Sequence, residues 1–181
     1  MNNYCNKLNF PNLNVDLTSY KKEYRNQIRV PKEILGVDIE NILTSVGVKV
    51  EWAEVFFLGK DADHTTHCDG HELDDKAKLN YIVGGKDSLM TWYTNVEPSK
   101  IEKRVSPANT LYLGINTEEI TPSFSRTMEE GFYLVHVGTF HNVWNKDEDR
   151  YCLSAALMDS KTNQRLSFSQ LQKRLKGYIN D

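Results

Sequence analysis

The chain has 181 residues and a mass of 20.9 kDa, a length that fits a single domain. Apolar residues make up 39% and charged residues 26%, ordinary globular values that argue against disordered, collagen-like and coiled-coil classes. The formal net charge of −3 gives no basic excess to attract a phosphate backbone, which disfavours a nucleic-acid partner.

Cysteine usage and the N-terminus bear on the compartment. Cys5, Cys68 and Cys152 are widely spaced and form no CxxC pair, so neither a zinc ribbon nor a disulfide framework is indicated. A polar N-terminus without an apolar run predicts no signal peptide, and no stretch approaches the ~20 apolar residues of a membrane span. We therefore expect a reducing, cytoplasmic location and no membrane partner.

The N-terminal third predicts helical and irregular structure. Residues 1–30 are polar and weakly patterned, and we expect a loop with a short helix around residues 17–28. A firmer helix is predicted over residues 38–46, with Asp38 as N-cap and Gly47 as the terminating residue. Its apolar side chains fall on one helical face.

From residue 48 the apolar period changes from about 3.6 to 2, which predicts strands. Frequent Gly, Pro and Asn turn formers separate them, a pattern typical of a sandwich or barrel. The predicted strands are residues 48–58, 78–83, 89–93, 110–115, 131–137, 141–144 and 150–158. A final helix is predicted at residues 169–179, preceded by a capping box formed by Ser167 and Gln170.

All five histidines fall in two short segments of the sequence, and this clustering favours a metal site. His64, His67 and His71 lie in residues 61–71, and His136 and His141 lie in residues 134–144. Clustering of imidazoles in a β-rich chain favours metal ligation over scattered structural use.

The first histidine segment has three interpretations. A helix would place His67 and His71 at i and i+4, but the glutamate of HExxH is absent and Gly70 interrupts the segment. An extended segment would place His67 and Asp69 on one side of a strand, roughly 6–7 Å apart at Cα. The third interpretation is a solvated loop whose histidines titrate freely.

The second histidine segment adds a distant ligand. His141 begins a predicted strand after the turn at Gly138. One imidazole from this strand would complete a two-histidine, one-carboxylate set with His67 and Asp69 and leave three coordination positions open. Neutral imidazole and carboxylate suit Fe(II), and non-haem Fe(II) oxygenases use this arrangement.

Arg150 follows His141 by nine residues and opens the returning strand. A separation on the order of 10 Å would let a five-carbon diacid chelate the metal at one end while the guanidinium binds its other carboxylate. Ser154 lies on the same strand face as Arg150 and could add a hydrogen bond. The alternative is an exposed arginine paired with Asp147 or Glu148.

The ordered set of His67-x-Asp69, His141 and Arg150 on a β-rich chain resembles the Fe(II)/2-oxoglutarate-dependent dioxygenases. Those proteins share a double-stranded β-helix core, also called jelly-roll or cupin-like. Residues 77–85 and 89–93 are similar to the strands after the HxD loop in small bacterial and phage-type members. The resemblance covers roughly residues 48–158, and the sequence pattern adds an N-terminal helical extension at 1–47 and a C-terminal helix at 159–181.

The resemblance implies a role for each site residue. His67, Asp69 and His141 would be the catalytic Fe(II) ligands, and Arg150 would hold 2-oxoglutarate. Asn80, pointing inward on the next strand, and Ser154 would add cosubstrate contacts. Many members carry Arg-x-Ser, whereas this chain has Cys152 at the serine position, which puts the second carboxylate contact in doubt.

The implied activity is hydroxylation of an unidentified small-molecule or peptidyl substrate, with release of succinate and CO2. The competing interpretation is a non-catalytic or differently metallated cupin-like binding or structural protein, because such barrels host many functions. The oligomeric state stays open. His64 and His71 could support the ligands or contact substrate, but loop histidines beside a ligand are more often solvated, and we expect His136 to be a structural strand histidine.

Overall fold

A computed structural model of the chain describes residues 2–20, 27–70, 72–106, 109, 111–115 and 120–180. These residues form twelve strands, two α-helices and short 3-10 helices. The strands are β1 Cys5–Leu8, β2 Gln27–Val30, β3 Val48–Leu58, β4 His67–Asp69, β5 Ala77–Gly84, β6 Leu89–Tyr93, β7 Glu102–Val105, β8 Leu111–Gly114, β9 Pro122–Thr127, β10 Gly131–His136, β11 Phe140–Trp144 and β12 Arg150–Asp159. The helices are α1 Gly36–Ser45 and α2 Phe168–Arg174, and the 3-10 segments are Leu17–Tyr20, Lys32–Leu35, Pro98–Lys100 and Lys176–Tyr178.

The strands form two antiparallel six-stranded sheets. The first sheet has the order β1-β10-β5-β12-β3-β2, and the second has the order β7-β8-β4-β11-β6-β9. From β3 to β6 and again from β9 to β12, the chain changes sheet at nearly every strand, so neighbours in each sheet are distant in sequence. This is the strand order of a double-stranded β-helix, a jelly-roll or cupin-like fold. The predicted fold class is confirmed.

The first sheet buries both of its faces. Its outer face carries Leu79, Leu153 and their neighbours, and α1, α2 and the N-terminal segment cover it. Its inner face carries Ile82 and Cys152, which pack against Met90 and Trp92 of the second sheet. Because side chains alternate along a strand, polar residues two positions away from these inner residues also project into the space between the sheets.

Helix ends and outer strands differ in part from the sequence prediction. α1 begins at Gly36 with Leu35 before it, so Asp38 lies in the first turn and is not the cap, because a 3-10 turn runs directly into the helix. Gly47 ends it with φ +71° as predicted. The helix predicted at 17–28 is wrong where it can be assessed. Only Leu17–Tyr20 is a 3-10 turn, residues 21–26 lie outside the described residues, and residues 27–30 are a strand on the edge of β3.

The remaining strand predictions agree with the structure to within a residue or two, Thr110 lying outside the described residues. The strands that sequence reasoning missed are β1, β2, β7 and β9, which lie at the outer edges of the two sheets. The capping box of Ser167 and Gln170 is present at the start of α2. Neither α-helix of the described residues is long and apolar enough to cross a membrane.

Candidate metal centre

Three side chains from two strands of the second sheet converge at one end of the space between the sheets. His141 on β11 pairs directly with His67 on β4, and their ring centroids are 4.5 Å apart. Asp69 lies on the same side of β4, with its Oδ1 3.5 Å from His67 Nε2. One ligand atom from each of the three lies within 4.8 Å of the others. The extended interpretation of the first histidine segment therefore describes this part of the chain, and the helical one is wrong.

Backbone carbonyls fix the orientation of both imidazoles. His67 Nδ1 lies 2.8 Å from the carbonyl oxygen of Thr65, and His141 Nδ1 lies 2.9 Å from that of Thr139. A nitrogen this close to a carbonyl carries the proton and donates, which leaves each Nε2 as the basic nitrogen. Metal-binding histidines are commonly held in this way. Both imidazoles can thus offer an Nε2 lone pair to a cation bound between them and Asp69.

Asp69 is held from behind by a buried lysine. Its Oδ2 accepts a hydrogen bond from Lys78 Nζ at 2.8 Å, and the same ammonium donates to Glu54 Oε1 at 3.1 Å. Gln27 Nε2 donates to the other oxygen of Glu54 at 2.8 Å. The side chain of Lys78 is 12% exposed and that of Glu54 is 5% exposed, so this ion pair is shielded from water. This network leaves Oδ1 of Asp69 facing the histidines.

The electrostatics keep His141 and Asp69 in the protonation states that a divalent cation needs. Burial, together with the neighbouring His67, lowers the pKa of His141 to about 3, so this imidazole is neutral at physiological pH. Burial would raise the pKa of Asp69, but the ammonium of Lys78 outweighs it and holds that pKa well below its usual range. The set is therefore two imidazoles and one carboxylate, the ligands of a facial triad.

A cavity of about 530 Å³ opens beside these residues. Its size is within the range of small-molecule sites. Trp52 and Phe56 of β3 form one wall, and Tyr112 of β8 lies opposite, with its ring 5.9 Å from that of His67. Arg29 stacks on Trp52 at the rim, with its guanidinium carbon 4.1 Å from the ring centroid. The cavity thus gives the ligand set a route to solvent.

The structure places Arg150 inside the molecule, contrary to the alternative of an exposed arginine paired with Asp147 or Glu148. The residue is 5% exposed, and its Nε is a buried atom without a hydrogen-bond partner. Its guanidinium makes no ion pair with any carboxylate among the residues that the structure describes. Gly85 packs directly against the alkyl stem of the side chain.

Asn80 and Ser154 face each other across β5 and β12, as part of the ladder that also pairs Ser154 with Glu54. They are 8% and 2% exposed, and Asn80 Oδ1 has no hydrogen-bond partner. Arg150 lies on the same inner face, four residues before Ser154, or about 13 Å along the strand. The three residues predicted to contact a cosubstrate therefore share one interior surface.

The other histidines and the nearby cysteine have distinct surroundings. His64 is not the solvated loop residue that the sequence suggested: it lines the cavity, 6.2 Å from His67 between ring centroids, and burial lowers its pKa to about 4, with His67 and Arg150 contributing. His136 is away from the centre, stacked on Phe168 and hydrogen-bonded to the carbonyl of Asp74, as a structural histidine. His71 lies outside the described residues. Cys68 points away from the centre, fully buried, as expected for the extended segment.

Sequence reasoning missed Lys78 and Glu54. On an alternating strand, both resemble the solvent-facing charges of an amphipathic sheet. The alternation of side chains along each strand could have identified them. Lys78 lies on the same side of β5 as Ile82, and Glu54 lies on the same side of β3 as Phe56, the sides that face the second sheet.

No family profile matches the chain, and no curated protein matches its sequence. Among solved structures, HygX from Streptomyces hygroscopicus with nickel and 2-oxoglutarate bound is similar at 13% identity and a TM-score of 0.41, over 82% of this chain and 76% of that one. E. coli ycfD is similar at 10% identity and a TM-score of 0.38 over 74% of this chain, and this chain spans only 33% of that protein. A cupin 2 domain-containing protein from Halorhodospira halophila is similar at 8% identity and a TM-score of 0.32, over 89% of this chain and 95% of that one. Scores this low add no support for fold or function, and the fold assignment rests on the strand order.

Proposed function

We propose that this protein is an Fe(II)- and 2-oxoglutarate-dependent oxygenase that hydroxylates a small-molecule or peptidyl substrate. One observation carries the proposal: the space between the two sheets receives His67, Asp69 and His141 from the second sheet, within 4.8 Å of one another, and from the first sheet the buried cation of Arg150, which has no carboxylate partner among the described residues. A buried charge without a partner is costly to folding. An anion that binds inside the barrel would remove that cost.

The charges of the interior fit a dication and a dianion together. Two carboxylates, Glu54 and Asp69, and two cations, Lys78 and Arg150, balance one another between the sheets. Binding of Fe(II) alone would leave two uncompensated positive charges, and binding of 2-oxoglutarate alone would leave two negative ones. Neutrality returns only when both are bound, so we expect each ligand to strengthen the binding of the other.

Each residue of the site has a separate role in binding. His67, Asp69 and His141 would hold Fe(II) on one face, and Asp69 would bind it through the oxygen that does not contact Lys78. The free Nε–H of Arg150 matches a carboxylate of the cosubstrate, and its planar fork suits a two-pronged contact. When bound, Fe(II) and 2-oxoglutarate supply an oxidation that consumes O2 and releases succinate and CO2.

Asn80 and Ser154 add polar groups to the same inner face of the first sheet as Arg150, where they would contact the cosubstrate. The Nδ2 group of Asn80 can donate to a carboxylate if the amide is turned, since the two amide atoms are assigned by their partners. The aromatic wall of Trp52 and Phe56 then bounds the remaining space, where it excludes water from one side of the site.

Linked thermal stabilisation tests the proposal. Mn(II), which resists oxidation, is added to metal-free protein alone and together with 2-oxoglutarate, and the unfolding midpoint is measured. We expect Mn(II) to stabilise the protein by about 2.7 kcal/mol at 100 times its Kd, and 2-oxoglutarate to add stabilisation only when Mn(II) is present. Arg150→Met should lose the second increment and keep the first, while Arg165→Met at the cavity rim should keep both.

The same experiment separates the alternatives. A metal-binding cupin-like protein without oxygenase activity would respond to Mn(II) but not to 2-oxoglutarate, and a structural protein would respond to neither. A second measurement then follows succinate formation by wild-type protein supplied with Fe(II), 2-oxoglutarate and air. Absence of succinate from metal-loaded wild-type protein, or its undiminished formation by Asp69→Ala, would refute the oxygenase assignment.

A further inference from the structure

Lys78 is an unusual neighbour for a metal-binding carboxylate, because a cation beside a ligand repels the metal. Its ammonium is nevertheless fixed there by several contacts. It donates to Asp69 at 2.8 Å and to Glu54 at 3.1 Å, and it lies 4.8 Å from the ring centroid of Trp52 and 5.6 Å from that of Phe56. Two carboxylates and two aromatic faces thus surround one charge.

The sheet register explains how this lysine reaches Asp69. Lys78 and Trp52 lie on opposite sides of Ala156 in the ladder of β5, β12 and β3. The small side chain of Ala156 leaves room for the lysine stem to cross the inner surface toward Trp52. Glu54, two residues along β3 on the same face, then meets the ammonium and is itself held by Gln27.

The consequence falls on the two oxygens of Asp69. Oδ2 is occupied by the ammonium, whereas Oδ1 lies 3.5 Å from His67 Nε2 on the side of the histidines. A carboxylate with both oxygens free can bind a metal through both of them, as carboxylates do at many cation sites. A carboxylate with one oxygen held by a buried ammonium offers a single oxygen.

We propose that Lys78 is a positioning residue that keeps Asp69 a one-oxygen ligand and so preserves an open coordination position on the metal. This inference rests on the proposed function, since the position matters only where cosubstrate and O2 must both reach the metal. Glu54 compensates the charge of Lys78, so the device adds no net charge to the site. A lysine that served packing alone would leave the coordination number unchanged when it is removed.

Water bound to Mn(II) reports the number of open positions. We suggest measuring the longitudinal relaxation of water protons with full-length protein saturated with Mn(II), for wild type and for Lys78→Met combined with Glu54→Gln. The double variant removes one cation and one anion and so keeps the net charge of the site, while Asp69, which loses its partner, is compensated by the bound Mn(II). Circular dichroism and the unfolding midpoint confirm that the variant is folded before it is loaded.

We expect the double variant to bind Mn(II) with one fewer coordinated water than wild type, because the freed Oδ2 of Asp69 takes that position. Lys76→Met is the matched control, since Lys76 also lines the cavity but pairs with Asp74, and it should keep the wild-type water number. An unchanged water number in the double variant, or failure of the folded double variant to bind Mn(II), would overturn the proposal.

Glu54 itself could take the position vacated by Lys78 in the single variant Lys78→Met. If the single variant loses a water and the double variant regains it, Glu54 is the occupant and the role assigned to Asp69 is wrong. The oxygenase assignment is judged separately in the same samples: 2-oxoglutarate should displace coordinated water from wild-type protein. If it does not, the proposed function fails while the water numbers still decide the effect of Lys78 on the metal.

Discussion

His67 and His141 are directly opposed across the β4–β11 pair, with ring centroids 4.5 Å apart, and each is anchored by the carbonyl oxygen two residues before it. The same local arrangement on two antiparallel strands turns both Nε2 atoms toward one point. Because backbone groups of the sheet fix the rings, metal binding requires no rearrangement of the histidines. The site is preorganised by the ladder itself.

Removal of one of these imidazoles should abolish metal-linked stabilisation. We predict that His141→Ala loses the rise in unfolding midpoint that wild-type protein shows with Mn(II), a rise equivalent to about 2.7 kcal/mol at 100 times the Kd. His136→Ala is the control, since this histidine also sits at a strand end but contacts Phe168 and the carbonyl of Asp74. Equal responses of the two variants to Mn(II), measured by differential scanning calorimetry, would place the metal elsewhere.

The capping box of α2 should contribute measurably to stability. Ser167 Oγ accepts from the backbone of Gln170, and the Gln170 side chain accepts from the backbone N–H of Ser167. Ser167→Ala removes one half of this pair, and we expect a loss of about 1 kcal/mol in the free energy of unfolding by urea. Ser45→Ala, at the exposed end of α1, is the comparison and should change it by less than about 0.5 kcal/mol. Equal losses would mean that the box contributes nothing specific.

Sequence patterns predicted those parts of the fold that neighbouring residues determine. Examples are the alternation of β3 and β12, the capping serine of α2, and the placement of His67 and Asp69 on one side of a strand. The edge strand β2 exists because β3 offers a free edge to residues 27–30, which no local signal reveals.

The charge network beside the metal centre depends on sheet order in the same way. Lys78 and Glu54 meet only because β12 lies between β5 and β3, with Ala156 small enough to let one reach the other. Arg150 could be named from its spacing to His141. The sequence could not predict that Arg150 is buried without a carboxylate partner among the described residues, because its burial depends on which strands enclose it.

Cys68 should make stability sensitive to alkaline pH. Burial raises the pKa of its thiol to about 12 from an ordinary value of 9.0, with the charges of Asp69 and Asp74 adding to the effect. The unfolded chain therefore releases this proton from about pH 9 upward while the folded chain retains it, so the stability present below pH 9 is lost as pH rises toward 12. At pH 10 the loss is on the order of 1 kcal/mol for this group.

The comparison with Cys68→Ala isolates that contribution. The variant is expected to be less stable than wild type at pH 8, because it leaves a cavity where a buried thiol was packed. Its free energy of unfolding in urea should nevertheless fall less than that of wild type between pH 8 and pH 10. Other groups that titrate in this range are common to both proteins and cancel in the difference. Parallel declines would show that the thiol is not protected.

Gly85 should control the placement of Arg150. It has φ +67°, and a Cβ at this position would lie 2.7 Å from both Cβ and Cγ of Arg150 and 2.8 Å from its Cδ. Gly85→Ala therefore strains the backbone, at about 1–3 kcal/mol, and also pushes the guanidinium away from its place. We expect the affinity for 2-oxoglutarate in the presence of Mn(II), measured by calorimetric titration, to fall on the order of tenfold or more. Affinity for Mn(II) alone should be unchanged.

A matched substitution distinguishes displaced arginine from general strain. Gly36 has φ +75°, and an added Cβ would have no atom within 4 Å, so Gly36→Ala suffers backbone strain without touching the interior. It should lose stability to a comparable degree and keep the wild-type affinity for 2-oxoglutarate. If both variants lose that affinity equally, loosening of the fold explains the effect. If only Gly85→Ala loses it, the position of the Arg150 stem sets how well the barrel receives a carboxylate.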